Sequence, residues 1–156
     1  MLYLFTTGYG YSKKRCESII NWFYETQLNN KNIEIDVLHR GLKREGAYGW
    51  CGVYGKTNKP TEFLIEIQSN LDPTSYSTTL LHEMQHVKQF VCEDLKIKSG
   101  KRYYKGICVD ELPYEDQEHE QEAHALEESL YEGYLTSLRK PCRLSFVTDE
   151  GLTVSN

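Results

Sequence analysis

No stretch of this 156-residue sequence is apolar over anything near the ~20 residues that a membrane-spanning helix needs, so no membrane partner is expected. The chain has no internal repeat and no low-complexity tract, which excludes solenoid and disordered classes. It has no surplus of positive charge: 18 Lys and Arg stand against 23 Asp and Glu, for a net charge of -5. That balance argues against sequence-independent binding to nucleic acid, and no nucleic-acid partner is expected. The densest basic stretch, Lys96 to Lys105, is interleaved with tyrosine and reads as a solvated loop. Among the five cysteines, Cys16, Cys51, Cys92, Cys108 and Cys142, no two form a C-x-x-C clip, so a four-cysteine zinc site has no supporting spacing. Met1 to Tyr11 lacks the basic region and long apolar stretch of a secretory signal. Reduced thiols and a cytoplasmic location (a host's cytoplasm if the chain is phage-encoded) are the expectation. What is present is a 39% hydrophobic and 12% aromatic composition, enough for one packed domain over residues 1–156.

Local patterns give an order of elements. Ser12 can cap a first helix to about Leu28, with Cys16, Ile19, Ile20, Phe23 and Tyr24 at helical spacing. Asn29, Asn30 and Asn32 mark a turn. Ile33, Ile35 and Val37 alternate with Glu34, Asp36 and Leu38 as in a half-buried strand. Tyr48 to Lys56 reads as a second strand despite its glycines, and Phe63, Ile65 and Ile67 define a third. The turn at Asn58, Lys59 and Pro60 makes the second and third antiparallel. Asp72-Pro73 begins a helix to about Cys92. A loop from about Lys96 to Glu115 precedes a last long helix from near Asp116 to about Leu138, where Pro141 bars extension. The tail, 139–156, holds a strand-like run in Leu144, Phe146 and Val147. Strands grouped before helices predict an α+β fold. The expected architecture is a small three-stranded sheet packed with an N-terminal helix, a central helix and a C-terminal helix, with a core over about 33–138.

The central helix carries His82-Glu83-Met84-Gln85-His86. Its two histidines lie one turn apart and about 40° apart around the axis, so both imidazoles can bind one zinc ion. Glu83 can reach water at that ion without ligating it. Leu80, Met84, Val87 and Val91 form the apolar stripe that packs on the core, and the histidines face roughly the other way. Gln85 and Gln89 border the histidine face and read as solvent- or cleft-facing. A surface helix with solvated histidines is the plain alternative, so a third ligand decides between the two.

The last helix reads Glu118-His119-Glu120-Gln121-Glu122-Ala123-His124. Ala123, Leu126, Leu130 and Tyr134 form its apolar face, bordered by a stripe of Glu120, His124, Glu127 and Tyr131. A ligand with its hydrogen-bonded supporter belongs on such a border. Glu122 lies on the other flank, so geometry favours Glu120. Glu118, Glu122 and Glu128 read as a solvated acidic face, His119 as solvent-exposed, and His39 as a partly buried, satisfied histidine. His124 and Tyr131 are candidates for support or for transition-state stabilisation. Tyr103, Tyr104 and Tyr114 lie in a loop that can cover the cleft, where each tyrosine is more often a packing residue.

On these residues the sequence resembles the gluzincin metallopeptidases, which pair H-E-x-x-H with a downstream glutamate on a second helix. It is most similar to the small single-domain forms, the minigluzincins and short phage or bacterial peptidases. The resemblance spans about Ile33 to Leu138 as an order of elements and is specific at His82 to His86 and at Glu120 to His124. In related families the ligand glutamate precedes an Ala or Ser by three residues and a polar supporter, often Asp or Asn, by four. Here those positions are Glu120, Ala123 and His124. The resemblance implies an edge strand beside the cleft that pairs with an extended peptide. By chain order that strand is Phe63 to Ser69, presenting Phe63, Leu64, Ile65, Glu66, Ile67 and Gln68. The expected function is a zinc metallopeptidase, an endopeptidase rather than an exopeptidase, acting on a protein or peptide substrate. Zn2+ would be held by His82, His86 and Glu120 with water in the fourth position, and Glu83 would be general base. The alternatives are a narrow protease of one regulatory partner, a zinc-binding regulatory or adaptor protein without general proteolytic activity, and a helical module without metal. Another divalent ion can occupy histidine and carboxylate ligands in place of zinc.

Overall fold

The computed structural model describes residues 1–139 and two short strands, Phe146–Val147 and Thr153–Val154. The fold is α+β, as expected, but its main sheet has four strands rather than three. The additional strand, β1 (Leu2–Gly8), runs parallel to β2 (Ile33–Arg40). Its sequence, LYLFTTG, is apolar on both faces, so no alternation betrays it. β2 in turn pairs parallel with β4 (Glu62–Gln68), and β3 (Gly49–Tyr54) pairs antiparallel with β4. The spatial order is β1-β2-β4-β3.

This order corrects the expected edge strand. Phe63, Leu64, Ile65, Glu66, Ile67 and Gln68 form an interior strand with partners on both sides; the edge beside the cleft is β3. The reason lies in the side chains. Phe63, Ile65 and Ile67 are fully buried and belong in the middle of the sheet, where each contributes about 1.5–3 kcal/mol. β3 carries Gly49 and Gly52 and exposes Trp50 and Tyr54, which suits an edge.

Helix α1 (Lys13–Phe23) begins at Ser12, whose hydroxyl accepts the Arg15 amide at 3.1 Å, and runs on into a wider π-turn at Tyr24–Leu28. Helix α2 (Pro73–Val91) begins at Asp72, whose carboxylate accepts the Ser75 amide at 3.0 Å. Helix α3 spans Glu118–Arg139. One core joins Cys16, Ile19, Ile20 and Phe23 of α1, Leu80, Met84 and Val87 of α2, and the inward residues of β2 and β4. His39 is buried and satisfied, bonding the Thr7 carbonyl at 2.9 Å and the Tyr76 hydroxyl at 2.8 Å, with its ring stacked on Tyr11.

The segment expected as a loop instead folds into a small antiparallel sheet: β5 (Leu95–Lys98), β6 (Lys101–Tyr104) and β7 (Ile107–Cys108). Its two turns are Ser99-Gly100 and Lys105-Gly106, with φ of 51°, 77°, 49° and 87°. Left-handed pairs of this kind match the twist of a tight hairpin, and glycine fills the second position at no steric cost. In the tail, Phe146 and Val147 do form a strand, paired with Thr153–Val154; Leu144 and Pro141 lie outside the described residues. Among the described residues no helix is long and apolar enough to cross a membrane.

Candidate metal centre

The middle of α2 is buried on its polar side as well as its apolar side. His82, Glu83, Gln85, His86 and Gln89 are each at most 7% exposed, because α3 covers all of them but Glu83, which lies against β3. Polar groups buried this deeply are stable only when paired, and α3 supplies the partners. Glu120 Oε1 lies 2.9 Å from His82 Nε2 and 3.0 Å from His86 Nε2. The two imidazole rings are 4.9 Å apart and nearly perpendicular. Ligand atoms of His82, His86 and Glu120 all fall within 4.8 Å of one another.

The surrounding hydrogen bonds fix which nitrogen of each ring carries its proton. Gln89 donates its amide nitrogen to the His119 carbonyl and to Glu122 Oε1, both at 3.0 Å. Its oxygen therefore faces His86 Nδ1 at 2.8 Å and must accept a proton from it. The reverse amide orientation would set that oxygen against two other oxygens. Likewise His82 Nδ1 lies 2.6 Å from Glu127 Oε1 and is the donor there. Neutral rings held in this way turn their Nε2 lone pairs toward Glu120 Oε1. Three electron-pair donors then converge, which is stable only around a cation. In the absence of a metal, protons fill that need. Burial opposes charge on His82, but its bonds to Glu120 and Glu127 push it up to about 10. Burial alone would raise Glu120, yet the two histidines hold it far below the usual carboxylate range. The donor set of two imidazoles and one carboxylate fits a divalent ion such as zinc.

Glu83 lies beside the triad and faces the edge strand. A Cβ added at Gly49 would stand 3.0 Å from Glu83 Oε2 and from Thr79 Cγ2, so any larger residue there would press on Glu83. Burial raises the Glu83 carboxyl to about 7; Glu120 and Glu127 add to this, and His86 and His82 oppose it. The triad, Glu83, Tyr48 and residues Gly49 to Cys51 of β3 line one cleft of about 720 Å³, with Phe90 and Leu95 as apolar wall.

Four neighbours differ from the sequence reading. Glu122 is neither a ligand nor a solvated acid: it accepts from Gln85 and Gln89 at 3.0 Å and from the Tyr104 hydroxyl at 2.8 Å. Gln85 and Gln89, four residues apart on one flank of α2, were the available signal for such an acceptor. They are buried in the α2–α3 contact, not exposed to solvent or cleft. His119 is buried, not exposed, since it precedes Ala123 by one turn on the apolar face of α3. Both its ring nitrogens lack a partner among the described residues, and Nε2 stops 3.7 Å from Glu120 Oε2. Burial drives it down to about 4, hence neutral. A buried imidazole without a partner beside the third ligand is a further sign that the centre is built to hold something more.

The expected supporters divide. His124 stands at the rim, half exposed, with Nδ1 2.9 Å from Glu127 Oε1 and Nε2 2.9 Å from the Tyr114 hydroxyl. Tyr131 packs against the core instead of entering the cleft, because it lies about three turns beyond Glu120 along α3. The acid that orients His82 is Glu127, on the same stripe but one turn beyond His124. Tyr114, outside α3, lines the cleft and donates to Glu120 Oε1 at 3.1 Å. His82, His124 and Glu127 form a second convergent group, but it shares His82 through the nitrogen that orients the first. Glu127→Gln is expected to weaken metal binding by about 10–100-fold. Competition with a chelating dye measures this, and unchanged affinity would mean that His82 is oriented by another group.

Comparison of the chain with protein-family models, with curated proteins and with solved structures finds no match.

Proposed function

We propose that this protein is a zinc-dependent metallopeptidase of gluzincin type, cutting within extended peptides. One observation carries the reading: His82 Nε2, His86 Nε2 and Glu120 Oε1 converge at the floor of a cleft that also holds Glu83 and an edge strand. His82, His86 and Glu120 would hold the ion, while Glu127 and Gln89 keep the imidazoles in the ligating tautomer. When bound, zinc supplies Lewis acidity toward the scissile carbonyl and acidifies water. Glu83 takes a proton from the attacking water at its carboxylate and delivers it to the leaving nitrogen as the C–N bond breaks. The free edge of β3 offers backbone donors and acceptors to a substrate strand, aligning it across Glu83. The Tyr114 hydroxyl can turn its hydrogen bond from Glu120 to the carbonyl oxygen as negative charge develops there.

A second reading is favoured by the net that Tyr114, His124 and Glu127 form over the triad. In it the ion fastens α2 to α3 in a regulatory or adaptor protein that does not cut generic substrates. Zinc-loaded protein incubated with an unfolded protein and a mixed peptide library separates the two. The peptidase reading expects internal cleavages, found by mass spectrometry, that a chelator abolishes and added zinc restores. Stoichiometric zinc without any cleavage favours the second reading. No bound metal removes both.

A further inference from the structure

The helices pack on one face of the four-stranded sheet, and among the described residues no element covers the opposite face. Tyr3, Phe5, Trp50 and Tyr54 stand on it, 53, 55, 46 and 43% exposed. Strand register arranges this face in rows. One row reads Tyr3, Glu34, Glu62, Tyr54 across β1, β2, β4 and β3; the next reads Phe5, Asp36, Leu64, Gly52. Glu34 and Glu62 are therefore directly opposed on neighbouring strands, a like-charge pair that weakens a sheet. Neither they nor Asp36 has an ion-pair partner among the described residues; the nearby Glu66 is already bound by Arg40. Gly52 is unforced: its φ is not left-handed, and an added Cβ would meet nothing within 4 Å. It opens onto a hollow beside Trp50, Leu64 and Glu66, while a second hollow of about 480 Å³ lies between Phe5 and Tyr54, lined by Thr7, Leu38 and Leu64 and edged by Glu34 and Asp36.

We infer that this face docks a protein segment bearing lysine or arginine. The aliphatic stem would lie on Leu38 and Leu64, the rings of Phe5 and Tyr54 would flank it, and the cationic head would enter between Glu34, Asp36 and Glu62. Exposed aromatics grouped around unpaired carboxylates suit such a side chain by cation–π contact, apolar burial and charge together. The same charge argues against the other occupants. Nucleic acid and anionic lipid are repelled, and a second copy packed face to face would set carboxylates against carboxylates. The inference does not depend on the metal centre.

The test is amide chemical-shift mapping of the whole chain with two synthetic dodecapeptides, one alternating Lys and Val, the other Glu and Val. The Lys peptide is expected to shift resonances of β1 to β4 on this face, at physiological ionic strength, and the Glu peptide to shift none. Phe5→Ala removes a 55% exposed ring that lines the hollow and should keep the fold, checked by thermal unfolding, while weakening the Lys peptide about tenfold or more. Glu34→Gln with Glu62→Gln should weaken it similarly while leaving stability equal or higher. The inference falls if the Lys peptide shifts nothing up to its solubility, if its shifts scatter over the surface, or if both variants bind it as wild type does. It also falls if the Glu peptide binds equally, if the same resonances move with protein concentration alone, or if deleting residues 140–156 moves them. The last two results would name a second copy or the chain's own C-terminal segment as the occupant.

Discussion

Glu83→Gln is expected to retain the metal and to lose hydrolysis by about 10²–10⁴-fold, the usual contribution of a positioned general base. The substitution is chosen for the site's tightness. Glu83 is 5% exposed and its carboxylate neighbours β3 at Gly49, so an isosteric amide fits where a larger change would push the edge strand away. Glutamine keeps the shape but cannot take a proton from water. Because Glu83 is not one of the three converging donors, metal content should stay at one per chain, read by elemental mass spectrometry. The rate is read on the best substrate from the cleavage screen. Wild-type turnover by the variant would remove Glu83 as base. Loss of the metal would instead make Glu83 a ligand and demand a different geometry.

His82→Ala should abolish stoichiometric metal and the stabilisation that metal gives. A ligand at 100 times its dissociation constant stabilises the folded state by about 2.7 kcal/mol. For a chain of this size that corresponds to an unfolding midpoint raised by roughly 5–10 °C. Wild-type protein should show such a rise on zinc addition, and His82→Ala should show none. His82 also stands between two carboxylates, Glu120 at 2.9 Å and Glu127 at 2.6 Å, so its removal lowers metal-free stability too. Glu120→Gln is the companion variant, since it removes a ligand while relieving that carboxylate pair. Differential scanning of both, with and without zinc, checks the prediction. A zinc-dependent rise that survives in both variants would dismiss the triad as the binding site.

The convergence of His82, His86 and Glu120 was more legible in the sequence than the sheet was. Asp72-Pro73, the apolar stripe through Leu80, Met84 and Val87, and the H-E-x-x-H spacing located α2 and turned His82 and His86 to one side. Helical phase on α3 was enough to favour Glu120 over Glu122, because rotation about an axis is fixed by residue count alone. Phase does not say which flank a neighbour covers, so Glu122 and His119 read as solvated when Glu122 in fact bonds to α2 and His119 is buried. Spatial strand order is equally invisible to chain order. β4 follows β3 in sequence but is inserted between it and β2, which moved the edge from Phe63–Gln68 to Gly49–Tyr54. β1 escaped because both its faces are apolar. β5 to β7 escaped because strands of two to four residues show almost no periodicity; the turns Ser99-Gly100 and Lys105-Gly106 were the only trace.

The Glu122 carboxylate ties three parts of the molecule at a single point: the Tyr104 hydroxyl from the small sheet, and the Gln85 and Gln89 amides from α2. Gln89 also sets the tautomer of His86. A pull on the β5–β7 hairpin is thereby relayed, through one carboxylate and one amide, to the nitrogen that would meet the ion. Released from Glu122, that amide would keep only its bond to the His119 carbonyl, and its hold on the His86 Nδ1 proton would slacken. Any ion that His86 helped to hold would then be gripped less firmly, although no ligand had been touched.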